Sequence, residues 1–158
     1  MEATLPAQMP YRHTQIGYAT LLGLFGGLVT QLGGAARDAR LGRKRVGAYV
    51  PASLFFLASM AAFSTLTVEV AEGAVSAGFT GGLFRRNFEL RLIESADVVT
   101  VPWYSGWGIR LTADGWLYSV WGRRAVRLRL SDGAIFTIGS DEPQALLAAI
   151  EGARARQA

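Results

Sequence analysis

Val101–Pro143 reads VPWYSGWGIRLTADGWLYSVWGRRAVRLRLSDGAIFTIGSDEP, a series of short apolar runs separated by turn residues. Val126, Leu128 and Leu130 point one way and Arg127 and Arg129 the other, the alternation of a half-buried strand. Asp114-Gly115 and Asp132-Gly133 sit between such runs, where a tight reversal needs residues tolerant of positive φ. After Ser140-Asp141-Glu142-Pro143 the period becomes helical. Asp141 with Gln144 has the spacing of a capping box, Pro143 suits a first turn, and Leu146, Leu147 and Ile150 form an apolar stripe. The expectation is a small antiparallel meander closed by one amphipathic helix, with a tail fraying from Arg154.

Working upstream, strands are expected at Leu66–Val70, Val75–Phe79, Asn87–Leu92 and Val98–Val101, then at 109–112, 116–121, 125–130 and 135–139. Seven or eight strands result. Before them lie two charge-free runs of 23 residues, Thr14–Ala36 and Val46–Val68. A helix of that length reaches about 34 Å, enough to cross a hydrocarbon layer of about 30 Å. Ala19, Gly23 and Gly27 share one helical face, as do Ala48 with Ala52 and Ala58 with Ala62, so the two runs can pack as a hairpin. The alternative for these small residues is contact with lipid. A cleaved signal peptide ending near Gly33-Gly34-Ala35-Ala36 is the alternative for the first run; a longer, more polar apolar region and a second span argue against it. The expected organisation is a leader (1–13), a membrane hairpin (14–68) with a basic loop (37–45), a β domain (66–151) and a tail (152–158).

The chain carries 16 Lys plus Arg against 12 Asp plus Glu. All of this excess falls in the first 65 residues, and five of the six bases there lie between Arg37 and Arg45. That clustering is a topology signal, not a nucleic-acid footprint. The positive-inside rule keeps the loop in the cytoplasm and favours an external β domain, weighing five bases against Arg12, Arg85 and Arg86. An integral protein of the cell membrane is expected.

Seven or so bent antiparallel strands followed by a capping helix, together with the Gly-Trp-Gly, Asp-Gly-Trp and Asp-Gly motifs of Val101–Pro143, resemble bacterial pleckstrin-homology-like (PH-like) domain proteins, several of which carry one or two membrane helices. The resemblance covers Leu66 to about Ile150. It implies a PH-like barrel and a binding or scaffolding role without catalysis. Phosphoinositide-binding PH domains use a basic cluster in an early hairpin loop; this chain offers only Arg85 and Arg86 there.

Chemistry-bearing residues are sparse. The absence of cysteine excludes disulfides, thiolate metal sites and a Cys nucleophile. His13 is the only histidine, so no His-based triad or multi-histidine metal site can form within one chain. Carboxylates are scattered without recurrent pairing, and the Gly-rich TGGLF lacks the Lys-Ser/Thr of a phosphate loop. No catalytic set, metal or cofactor is expected. Candidate ligand or partner residues are Arg85, Arg86, Trp103, Tyr104, Trp107, Arg123 and Arg124. The aromatic cluster could line a groove, meet a partner, rest at the headgroup layer or pack in the core, and the arginines could meet an anion or pair with nearby carboxylates. A module that contacts a membrane protein or a second copy at the bilayer surface is the leading expectation. Direct binding of anionic headgroups is its alternative.

Overall fold

A computed structural model describes residues 10–71 and 73–157. The two charge-free runs form helices. Helix α1 is Tyr18–Arg40; α2, Tyr49–Ala62, continues a short 3-10 turn from Lys44. Tyr18–Arg40 and Lys44–Ala62 are each long and apolar enough to cross a membrane, and neither is buried by the rest of the chain. Leu22, Phe25, Val29, Leu54 and Phe55 are all more than half exposed.

The sheets begin earlier than the sequence suggests. Tyr11–Ile16, expected as the end of an irregular leader and the start of a span, is a strand, β1. It pairs antiparallel with β2 (Thr65–Ala71), from Tyr11 opposite Val70 to Ile16 opposite Thr65. The helical hairpin is therefore an insertion between two paired neighbours, with Gly17 N–H donating to the Ser64 carbonyl at 2.8 Å across its root. The sheet domain is discontinuous in sequence. His13, expected outside the folded part, lies within β1 and donates from Nε2 to the Asp141 carboxylate at 2.7 Å.

Strands β3 (Ala74–Phe79) and β4 (Leu83–Glu89) complete a four-stranded meander in the order β1-β2-β3-β4. The third expected strand is thus displaced toward the N-terminus, and Leu90–Leu92 is a 3-10 turn. The second sheet contains β5 (Ile93–Thr100), β6 (Gly108–Thr112), β7 (Gly115–Ser119), β8 (Arg124–Leu130) and β9 (Ile135–Gly139) in the order β5-β8-β9-β7-β6. This is not the simple meander expected: the β6–β7 hairpin lies beside β9, and β7 and β9 run parallel. The nine strands form two sheets, of four and five strands, followed by the expected C-terminal helix.

Alternation positions the core. Leu66, Val68 and Val70 face inward with Val75, Ala77 and Phe79, and Val126 and Leu128 meet them from the second sheet. Each fully buried side chain of this size contributes about 1.5–3 kcal/mol by leaving water. Helix α3, Pro143–Ala155, presses Leu146, Ile150 and Ala153 into the same core. Its start is not the expected capping box. Asp141 is turned to His13, and the Ser140 hydroxyl accepts the Glu142 N–H at 3.1 Å. Its end is held beyond the expected fraying point, because Arg154 donates to the Glu94 carbonyl at 2.9 Å.

The hairpin interface differs from the expected stripe. A Cβ at Gly27 would overlap the Phe56 ring, and one at Gly34 would lie 3.0 Å from the Tyr49 ring, whereas Gly23 faces open space. The tight approach is thus Gly27 with Gly34, one heptad apart. At the loop, buried Asp38 accepts from Arg43 Nη1 and from the Tyr49 hydroxyl, both at 3.0 Å, which ties the two helices together.

Candidate functional site

The turns and links of the sheets fall at two ends, and the helices leave from one of them. Gln15 Nε2 donates to the Trp121 carbonyl at 3.1 Å, and the Thr20 hydroxyl donates to the Val120 carbonyl at 2.8 Å, so the link between β7 and β8 abuts the first turn of α1. Thr100 pairs with Arg124 and Gly108 with Ser119, which brings both ends of the β5–β6 link (101–107) to this hairpin end. Phe79 pairs with Leu66 and with Leu83, placing the β3–β4 reversal there too.

The expected ligand residues do not converge. Arg85 is turned onto the outer face of the first sheet, where it donates to Glu69 at 3.2 Å and to Ser76 Oγ at 2.8 Å. It serves as a surface brace. Arg86, Arg123 and Arg124 are exposed and, among the described residues, have no carboxylate within salt-bridge distance. Trp103 and Tyr104 are 77% and 75% exposed and meet edge-on at 6.1 Å; Trp107 is 42% exposed. The tryptophans are therefore surface residues, while Tyr118 supplies the core aromatic against Phe79 and Phe136. Among the described residues no group of three metal-ligating side chains assembles.

Two features were not singled out from the sequence. The first is a groove of about 160 Å³ on the outer face of the second sheet, between the 101–107 link and the β6–β7 turn. Arg127, Thr137 and Leu117 lie side by side in register and form its floor; Thr100, Tyr104 and Asp114 stand around it. Arg127 Nη2 is 3.6 Å from Asp114, but its Nε is buried and, among the described residues, has no hydrogen-bond partner. A buried donor left unmade costs about 1–3 kcal/mol, so an acceptor placed here recovers that penalty. Alternation marks Arg127 as outward-facing, but only the folded 101–107 link makes a groove over it.

The second is Phe84, the only non-glycine residue with positive φ (+52°) among those described. That conformation costs roughly 1–2 kcal/mol. It places the ring 5.7 Å from and nearly parallel to the ring of Phe63, which ends α2, while leaving Phe84 55% exposed. The sequence signal for it is the TGGLF run, since two glycines before an aromatic residue mark a reversal without saying where the ring goes.

No protein-family model matches the chain, and no curated protein matches it significantly.

Proposed function

We propose that the chain is a membrane-anchored, PH-like binding module whose groove on the second sheet engages a carbonyl- or carboxylate-bearing segment of a membrane-protein partner or a second copy. The carrying observation is Arg127: a guanidinium partly neutralised by Asp114, with an unused Nε beside Leu117 and two threonine hydroxyls. Such a site suits an extended main chain, where carbonyl acceptors alternate with apolar side chains. The four-stranded meander, the second sheet and the terminal helix support the PH-like reading; the parallel β7–β9 pair is a departure from it. Two helices of spanning length support integration in the membrane, and the base-rich loop favours a cytoplasmic loop with the sheets outside. The role is contact and not bond-making. His13 braces β1 against Asp141, away from the groove.

A photo-crosslinking amino acid at position 104 tests this in native membranes. A discrete adduct is expected that Arg127→Leu and Thr137→Val abolish, with no adduct from position 87 on the other sheet. An adduct of twice the chain mass assigns the partner as a second copy. An adduct indifferent to Arg127→Leu sinks the groove as the site.

A further inference from the structure

Several exposed apolar residues lie at one end of the sheet domain. Trp121 follows Val120 directly beneath α1, Trp107 precedes Gly108, which pairs with Ser119, and Leu83 and Phe84 open β4 beside Phe63. Their exposures run from 42% for Trp107 to 55% for Phe84. All of these segments are the ones that topology brings to the root of the helical hairpin. In water this placement has no account: a strained backbone at Phe84 holds an apolar ring in the open, continuous through Phe63 with helices that are themselves apolar and uncovered.

We infer that Leu83, Phe84, Trp107 and Trp121 form an interfacial girdle that seats the hairpin end of the sheet domain in the headgroup layer of the bilayer crossed by α1 and α2. The occupant is the phospholipid boundary where glycerol and upper acyl carbons meet, the layer that amphipathic rings favour. Two facts select lipid over a soluble partner. Trp121 and Phe84 lie at the helix exit, so any membrane holding the helices is already against them. Arg86, Arg123 and Arg124 add cationic groups with no described carboxylate partner, suited to phosphate oxygens. Arg85, by contrast, is committed to Glu69 and does not take part. Trp116, 42% exposed, opens β7 at the opposite end and lies outside the girdle.

The inference rests on the proposed membrane anchoring, and the two can fail separately. The full chain is reconstituted in phosphatidylcholine vesicles whose acyl chains carry bromine either near the headgroup or near the terminal methyl. All four tryptophans lie in the sheet domain, so their emission reports on it alone. Bromine near the headgroup should quench at least about twice as strongly as deep bromine, as an interfacial ring requires. Trp121→Phe and Trp107→Phe should each remove part of that quenching; Trp116→Phe should leave it intact. An alkaline carbonate wash reads the anchoring independently. Protein retained after the wash but unquenched by shallow bromine overturns the girdle and leaves the anchoring standing; protein released by the wash overturns both. Protection from a water-soluble quencher without bromine quenching would assign the rim to contact between proteins, and also overturns the proposal.

Discussion

Cutting the hairpin out of the chain is the sharpest test of the discontinuous domain. Gly17 and Ser64 are already hydrogen-bonded at 2.8 Å, so replacing Tyr18–Phe63 by Asn-Gly converts the insertion into a two-residue β-hairpin turn of favoured type. This removes the edge-on contact of Phe63 with Phe79 at 5.0 Å, a loss of about 1 kcal/mol. The comparison is a fragment beginning at Thr65, which has the same strands β2–β9 and α3 but lacks β1. In that fragment six paired residues of β2 lose their partner, together with the bond from Gln15 to Trp121 and the His13–Asp141 contact. The six ladder bonds at about 1 kcal/mol each are offset by the entropy of ordering β1, so the deficit is set by the packing of Tyr11 on the core and by the Gln15 and His13 bonds, about 3 kcal/mol together. That is a large share of the roughly 5–15 kcal/mol holding a domain together. With a urea slope of about 1.5 kcal/mol per molar, the fragment's midpoint should lie about 2 M below that of the excised protein, both read by far-UV circular dichroism in one low-detergent buffer. Equal midpoints, or a fragment that folds while the excised protein does not, would refute the claim that β1 is integral to the sheet.

Three other outcomes follow from the packing. Gly27→Leu drives a side chain into the Phe56 ring and should destabilise the helix pair by about 1–3 kcal/mol, whereas Gly23→Leu faces open space and should be neutral; SDS titration of the detergent-solubilised protein separates them. Gly115→Ala combines φ +116° with overlap of the Ile135 carbonyl and should cost about 3 kcal/mol or more, while Gly133→Ala, at φ +82° with nothing nearby, should cost about 1 kcal/mol; thermal melts of the two variants test the contrast. The Tyr11 phenol is pushed up to about 12, chiefly by burial, with Glu142 and Asp141 adding to it, and its oxygen has no hydrogen-bond partner among the described residues. The folded chain therefore holds this proton more tightly than the unfolded one, so the associated stability is complete below pH 10 and is lost as pH rises toward 12. Tyr11→Phe should remove that slope and gain about 1 kcal/mol at neutral pH, checked by urea midpoints at neutral and alkaline pH.

What could be read from the chain alone was whatever local spacing enforces. Charge-free length fixed two helices able to span a bilayer, and period-two alternation fixed Leu66, Val68 and Val70, or Val126 and Leu128, as inward residues before any fold was known. Asp-Gly pairs located the reversals at Gly115 and Gly133. The register of distant segments was not legible. Tyr11–Ile16 looks like a leader because its pairing partner lies beyond a long helical insertion, and no periodicity links Ile16 to Thr65. For the same reason the parallel β7–β9 pair, the groove over Arg127 and the placing of Phe84 and Trp121 at the root of the helices could not be seen in the sequence. Local pattern decides which face of an element is buried, because side-chain geometry repeats over two to four residues; which elements meet, and so which exposed residues become neighbours, depends on contacts between segments far apart in the chain, and only the folded arrangement decides those.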